Sequence, residues 1–366
     1  MNHKIGVGII GGSVTGWAAV AHIPALKLLN DFDLVAVSTT NQASAQEAAD
    51  KFGFRYAFDN EHHLVNCPEV DLVVVSVKVP HHYRLAKSAI EAGKMVYCEW
   101  PLGNGAAEAK DLTTLAKSKG VRTFIGLQAV ILPETRYLKK VIADGLIGDV
   151  LSSSILASGG AWGASLNKAA SYVLDPANGV TMLDVPFGHT ISAFINILGN
   201  FTDVSAVMAR RRTEIILVPD NTTVPQLTKD QLVVTGILEG GAVANLHYRG
   251  GMSAGINFHW EINGTKGDIV LTSDEPGAFE MINVKIGYAP AGEQLRPLKI
   301  SDEYLLESVP TQPIHGIYYA LKAIRNDIVE NSNTFPTFAD GLQLHNFLDL
   351  VTRSAEEHRT LKVESN

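Results

Sequence analysis

Two rhythms of apolar and polar positions divide the chain. In the first third, short apolar runs alternate with stretches of helical spacing. Lys4–Ile10, Asp33–Ser38, Val70–Val77, Met95–Glu99 and Thr123–Leu127 read as strands. The third of these is nearly continuous in apolar residues, as expected of a strand covered on both faces. Ala18–Leu29, Ala43–Phe52, Tyr83–Ala92 and Ala106–Lys119 have helical spacing, and Gly53, Gly93 and Gly120 close the last three. Strands alternating with helices predict a doubly wound parallel sheet over residues 1–127.

Beyond residue 128 the grammar changes. Glu134–Asp144 and Ile191–Leu198 read as helices, the second ended by Gly199, and Val150–Ser158 as a strand. Extended segments follow at Asp203–Arg210, Gln231–Leu238, Ala242–Tyr248, Ile256–Asn263 and Asp268–Thr272, with Gly-rich turns between them. Tyr304–Glu330 and Gly341–His358 read as closing helices. Residues 128–366 are therefore expected to form an α/β domain around a large, mainly antiparallel sheet with helices on one face.

Composition excludes several functional classes. Of 366 residues, 46% are hydrophobic and 19% charged, a balance that excludes wholesale disorder. Thirty Lys+Arg against 38 Asp+Glu give a net charge of −8, which argues against a nucleic-acid partner. The only cysteines, Cys67 and Cys98, exclude a disulfide framework and a multi-cysteine zinc site and fit a reducing compartment. Met-Asn-His-Lys runs directly into the short apolar stretch Ile5–Gly12, which lacks a signal-peptide cleavage site. No run approaches about 18 uncharged apolar residues, so no membrane span is expected and the chain reads as cytoplasmic.

Candidate chemistry clusters at strand ends. Gly11-Gly12-Ser13-Val14-Thr15-Gly16 lies between the first strand and helix, where a dinucleotide fingerprint sits, with Ser13 replacing the middle glycine. The second strand ends Ser38-Thr39-Thr40-Asn41. It offers neither an acidic reader of the ribose hydroxyls nor an arginine for a 2′-phosphate, and its hydroxyls lean slightly to NADP over NAD. Pro80, His81 and His82 follow the most apolar strand. Adjacent histidines rarely chelate one ion and no carboxylate cluster accompanies them, so no metal is expected, and His82 reads as a helix-start residue beside the cofactor.

Pro80-x-His82, Glu91-Ala92-Gly93-Lys94 and Val96-Tyr97-Cys98-Glu99-x-Pro101-Leu102 resemble the Gfo/Idh/MocA oxidoreductase family. Leu146-Ile147-Gly148-Asp149, Gly264-Thr265-Lys266-Gly267 and Pro336-Thr337-Phe338-x-Asp340-Gly341 extend the resemblance over nearly the whole chain. It implies a Rossmann domain, an α/β domain with an open sheet, and nicotinamide chemistry on sugars or polyols. It also implies pairing through that sheet, as a homodimer or homotetramer. Gly11, Gly12, Ser13, Val14 and Gly16 would hold pyrophosphate, Ser38 and Thr39 the ribose, and Pro80, His82, Glu99, Trp100, Pro101 and Gln128 the rest of the cofactor pocket.

Two departures bear on the reaction. The family's proton-handling lysine is Trp100, whose indole N–H donates but cannot exchange a proton at ordinary pH. The family's Asp four residues before a His is shifted: Asp184 lies five before His189. On an α-helix, residues four apart project about 40° from one another and residues five apart about 140°, so Asp184 joins His189 only through an irregular turn. Pro186 between them makes such a turn plausible. His189, with an unperturbed pKa of about 6.5, is the candidate acid/base, and Trp100, Trp162 and Tyr172 are candidate sugar-stacking walls. A subgroup containing the yeast galactose-regulon repressor shares the Glu-Trp pair, Asn178-Gly179-Val180 and Phe187-Gly188-His189-Thr190-Ile191. A catalytically silent dinucleotide-binding regulator, acting through a protein partner, is therefore the alternative to a sugar oxidoreductase.

Overall fold

A computed structural model describes residues 4–306 and 311–364. The chain forms two compact units, Met1–Ile131 with Ser308–His345, and Leu132–Glu307 with Asn346–Asn366.

The first unit is built on β1 (Ile5–Ile10), α1 (Trp17–Val20), α2 (His22–Leu28), β2 (Phe32–Ser38), α3 (Gln42–Phe52), β3 (Tyr56–Phe58), α4 (Glu61–Val65), β4 (Leu72–Val75), α5 (His82–Glu91), β5 (Met95–Glu99), α6 (Ala106–Lys119) and β6 (Thr123–Gly126). The six strands are parallel, in the order β3-β2-β1-β4-β5-β6. The direction of winding reverses between β1 and β4, the switch point at which doubly wound sheets take ligands. One expected helix, Ala18–Leu29, is instead two, broken at Ala21. Pro24 explains the break: it lacks an N–H for the Val20 carbonyl, and its ring would collide with that carbonyl in a continuous helix.

The second unit carries α7 (Pro133–Ala143), β7 (Val150–Ser158), β8 (Ser165–Asn167), α8 (Gly188–Leu198), β9 (Phe201–Ala209), β10 (Glu214–Val218), β11 (Thr222–Pro225), β12 (Gln231–Leu238), β13 (Val243–Arg249), β14 (Phe258–Gly264), β15 (Gly267–Ser273), β16 (Lys285–Pro290), β17 (Arg296–Pro297) and β18 (Leu361–Lys362). Nine of these strands form one sheet, β17-β16-β15-β14-β7-β13-β12-β9-β18, antiparallel except for the β7–β13 pair. A small sheet, β11-β10-β8, stands apart from it.

The core of this unit centres on Trp260 of β14, which is fully buried and donates Nε1–H to Ser153 Oγ at 2.9 Å. Phe194 of α8 stacks on its ring at 5.6 Å, and Phe279 meets it edge-on at 5.7 Å. Two motifs of the family resemblance also meet here: Asp149 N–H donates to Thr265 Oγ1 at 3.0 Å, and Lys266 N–H to the Ile147 carbonyl at 2.8 Å.

Two helices close the chain, α9 (Ile314–Glu330) and α10 (Phe338–Glu357). The helix expected from Tyr304 thus begins at Ile314; residues 307–310 lie outside the described residues, as do residues 1–3 of the expected leaderless start. Residues 308–345, assigned from sequence to the second domain, belong to the first unit. Apolar packing is the reason: Ile317, Leu321 and Ile324 of α9 share a buried cluster with Ile23 and Leu26 of α2, and Arg325 Nε pairs with Asp31 at 2.9 Å. Thr337 donates through N–H and Oγ1 to Asp340, each at 2.7 Å, which caps the start of α10. No helix among the described residues is long and apolar enough to cross a membrane.

Candidate active site

In the first unit, the loop after β1 is held by the end of β2: Gly11 and Gly12 N–H donate to the Ser38 carbonyl at 2.9 and 3.3 Å. Gly11 has a φ of +91°, and a Cβ there would stand 2.2 Å from the Ser76 carbonyl oxygen. Gly12 is as tightly placed, 2.4 Å from Val37 Cγ2 by the same construction. The turn closes with Gly16 N–H on the Ser13 carbonyl at 3.1 Å, while the N–H groups of Ser13, Val14 and Thr15 have no acceptor among the described residues. Three successive free donors at the switch point fit the pyrophosphate of a dinucleotide. Because α1 is only four residues long, it adds little helix dipole at this loop.

The expected ribose contacts are only partly free. Thr39 Oγ1 lies 2.6 Å from Ser44 Oγ and donates to the Asn41 carbonyl at 3.0 Å, so this hydroxyl belongs to the cap of α3. Ser38 is buried and braces the glycine turn through its carbonyl.

His82 does not reach outward as a cofactor contact. Its ring is buried, with Nδ1 2.7 Å from the Pro101 carbonyl and Nε2 2.9 Å from the Val77 carbonyl. It clamps the loop after β5 to the end of β4. Pro80, by contrast, is exposed. Burial lowers the His82 pKa, with the two carbonyl contacts partly opposing it.

Glu99 heads a polar network that the sequence does not announce. One carboxylate oxygen contacts Nε2 of the fully buried His22 and accepts from Tyr97 OH at 3.4 Å; the other accepts from Gln128 Nε2 at 3.1 Å. Gln128 also donates to Tyr97 OH at 2.8 Å. Burial, followed by the Glu99 charge, pushes the Tyr97 phenol well above its usual range, so it stays neutral.

Trp100 is 5% exposed, and its ring lies on that of His345, with centroids 4.5 Å apart. At least one face of the expected stacking wall is thus covered by protein. His345 is itself buried, and its Nε2 has no hydrogen-bond partner among the described residues. Burial holds its pKa at about 4, against about 6.5 when unfolded. Between those values the unfolded chain binds a proton that the folded chain refuses, so this group makes stability fall as pH drops from about 6.5 towards 4. In His345→Phe, the loss of unfolding free energy between pH 7 and pH 4.5 should be smaller by about 2 kcal/mol, as measured by urea unfolding. An unchanged difference would place the titration elsewhere.

In the second unit, residues Leu183–Phe187 form a π-helical turn leading into α8, with Phe187 N–H donating to the Met182 carbonyl five residues back. Within such a turn, residues five apart stack as residues four apart do on an α-helix. The turn thus accommodates the extra residue between Asp184 and His189. The Asp184 carboxylate accepts from Thr181 N–H and Oγ1 at 2.9 and 2.6 Å. Burial raises its pKa even so. His189 is 5% exposed, and its Nδ1 lies 3.4 Å from Oε1 of Glu280, itself buried. The carboxylate partner that the structure shows for His189 is thus a residue that no local sequence signal marked.

Trp162 is buried, with Nε1 unpartnered among the described residues. Tyr172 is half-buried, and its carbonyl accepts from Asn178 at 2.7 Å.

Residues 5–127 match the oxidoreductase family with an NAD-binding Rossmann fold, and residues 133–273 match the C-terminal domain of Gal80p. Both matches accord with the resemblance to the Gfo/Idh/MocA oxidoreductase family carried by the sequence motifs. The chain is similar to the galactose/lactose metabolism regulatory protein GAL80 of Kluyveromyces lactis, with 26% identity over 99% of this chain and 96% of the relative. It resembles the crystal structure of a super-repressor mutant of Gal80p from Saccharomyces cerevisiae, with a TM-score of 0.90, 25% identity and coverage of 99% of this chain and 98% of the other. It is also similar to levoglucosan dehydrogenase of Pseudarthrobacter phenanthrenivorans, with 25% identity over 98% of both chains. The chain carries Trp100 directly after Glu99, and Asp184 five residues before His189.

Proposed function

We propose that the chain is an NAD(P)-dependent oxidoreductase acting on a carbonyl or secondary alcohol of a sugar or sugar-like polyol. The observation that carries this reading is the buried His189, an acid/base group on α8 with a carboxylate 3.4 Å from its Nδ1, preceded by a π turn that accommodates the extra residue after Asp184.

Gly11, Gly12 and Gly16 shape the turn that holds the pyrophosphate, Ser13, Val14 and Thr15 offer it their N–H groups, and Ser38 and Thr39 stand near the ribose. Pro80, Trp100 and Pro101 border the pocket; His82 sets the loop that carries Pro101, and Gln128 sets Glu99. The bound nicotinamide supplies hydride donation or acceptance. His189 moves the hydroxyl proton, and Asp184, whose carboxyl burial pushes above its usual range, modulates it. Trp162 and Tyr172 shape the sugar site. Similarity over nearly its full length to a levoglucosan dehydrogenase supports a sugar substrate. The absence of a carboxylate at the end of β2 leaves room for NADP as well as NAD. Val207, Val243 and Ile237, exposed on strands of the large sheet, support a homodimer or homotetramer formed through that sheet.

A second reading, a silent nucleotide-binding regulator, rests on the full-length similarity to GAL80 and on the tryptophan at the lysine position. One experiment separates the two. The purified protein is loaded with NAD⁺ or NADP⁺, mixed with a panel of sugars and polyols, and followed at the reduced-nicotinamide absorbance. Stoichiometric reduction with one panel member is the expected result, and it also fixes the cofactor. Tight nucleotide binding with no reduction across the panel would favour the regulator.

A further inference from the structure

His189 shares its buried surroundings with a carboxylate from a distant part of the chain. Glu280 lies in a short 3-10 turn, Phe279–Met281, and the turn is fixed on three sides. Phe279 is wedged against Trp260 and Phe258 at centroid distances of 5.7 and 5.8 Å. Its N–H donates to Thr190 Oγ1 at 3.1 Å, and Thr190 Oγ1 lies 2.6 Å from the OH of Tyr248. Thr190 directly follows His189 on α8, so the same bonds that seat the turn also fix the helix. The result is a carboxylate and an imidazole, 6% and 5% exposed, with Glu280 Oε1 3.4 Å from His189 Nδ1.

Stability does not account for such a pair. Moving a carboxylate out of water costs several kcal/mol, and an apolar pair of similar volume is commonly as stable or more so. A carboxylate on one ring nitrogen of a histidine does two specific things: it selects the tautomer with the proton on that nitrogen, and it stabilises the imidazolium.

We propose that Glu280 is a positioning residue for His189, its carboxylate 3.4 Å from Nδ1 favouring the proton on that nitrogen electrostatically and leaving the Nε2 lone pair to act on substrate. The inference rests on the oxidoreductase reading for its chemical use. On oxidation of a secondary alcohol, the hydroxyl proton passes to Nε2. The C–H hydrogen leaves with its electron pair for the oxidised nicotinamide, and a carbonyl forms. The imidazolium so created has Glu280 as its counter-ion, and the reverse reaction returns the proton from Nε2 to the carbonyl oxygen. The chain would thus carry out, with a His–Glu pair in its second unit, the proton transfer that Trp100 cannot perform.

Other titratable groups on the elements around α8 are Asp184 on the π turn, Tyr248 on β13 and Glu134 on α7, with Asp349 of α10 acting on Asp184. Burial keeps the Tyr248 phenol protonated across the working range. Burial raises the carboxyls of Asp184 and Asp349. On α7, Arg136 and Tyr137 pack on Tyr304, and Lys140 pairs with Asp144.

The test uses the full chain labelled with ¹⁵N-histidine, with His189 assigned by comparison with His189→Asn. The tautomer and titration of His189 are read by NMR in the wild type, Glu280→Gln and Glu280→Asp. The wild type should show the Nδ1–H tautomer. Glu280→Gln should lower the His189 pKa by about one unit, since a neighbouring carboxylate favours the charged form, and Glu280→Asp should recover part of that shift. If the protein turns over, the histidine-dependent limb of the kcat/KM profile should move by the same amount, with nucleotide affinity unchanged. An unchanged tautomer and pKa in a folded Glu280→Gln variant would overturn the proposal. Should Glu280→Gln fail to fold, Glu280→Asp alone decides, because withdrawing the carboxylate by one methylene must also shift the titration. The NMR readout needs no substrate, so a silent protein with a normal Glu280 effect would reject the oxidoreductase reading while retaining the pair.

Discussion

His189→Ala should lower hydride transfer by about 10²–10⁴-fold, the range lost with a general acid/base, and leave dinucleotide affinity unchanged. The two effects separate because the groups are built from different parts of the chain. The nucleotide loop hangs on Ser38 and on the β1–β4 switch point of the first unit. His189 stands on α8 of the second, anchored by Phe194 on Trp260 and by Thr190 on Tyr248. Those anchors remain in the variant, so the helix should keep its place. Removing the imidazole does leave Glu280 without the partner seen at 3.4 Å, and some loss of stability is expected. His189→Asn, which retains a polar group against Glu280, should show the same kinetic loss with a smaller change in unfolding midpoint. Single-turnover absorbance under saturating nucleotide checks the rate, and nucleotide fluorescence titration checks the affinity. Turnover retained in both variants would remove His189 from proton transfer.

The parallel sheet was legible in the sequence because its signals are local. Each apolar run is a strand buried on both faces, and Gly53 and Gly120 take the left-handed conformation that ends α3 and α6 where the pattern stops. Features set by distant partners were not legible. The placement of α9 in the first unit depends on Ile317 and Ile324 meeting α2, some 300 residues earlier in the chain, and periodicity cannot show which unit an apolar stripe covers. The break at Ala21 follows from Pro24, a local signal outweighed by helical spacing on either side.

The candidate site divides in the same way. The glycine loop and the Asp184–His189 separation could be read directly, including the need for an irregular turn. The direction of the His82 side chain could not, since a histidine after a strand can equally face a ligand or two carbonyls. Glu280, His22 and His345 lie far in sequence from the groups they touch, and nothing in their neighbours distinguishes them from ordinary polar positions. Only the closed fold assigns them.

Gly11→Ala should weaken dinucleotide binding by at least about 100-fold, whichever functional reading holds. Two costs combine. The backbone at φ +91° is disfavoured for any residue with a Cβ, by about 1–2 kcal/mol. The methyl group would also stand 2.2 Å from the Ser76 carbonyl oxygen, a contact that backbone atoms must relieve by moving. Any such movement turns the N–H groups of Ser13, Val14 and Thr15 away from the phosphates. Losing two charge-assisted hydrogen bonds at about 1.5–3 kcal/mol each accounts for at least the stated loss. Gly53→Ala is the matched control. Its φ is +84°, yet a Cβ there meets nothing within 4 Å, and it lies at the end of α3 away from the loop. It should cost about 1 kcal/mol of stability without changing affinity. Isothermal titration with NAD⁺ and NADP⁺, alongside thermal unfolding of both variants, gives the comparison. If Gly11→Ala binds as the wild type does, the loop after β1 is a structural turn and the pyrophosphate must be held elsewhere. If affinity falls only in Gly11→Ala, the loss comes from steric contact at the switch point and not from left-handed strain in general, because Gly53→Ala carries that strain too.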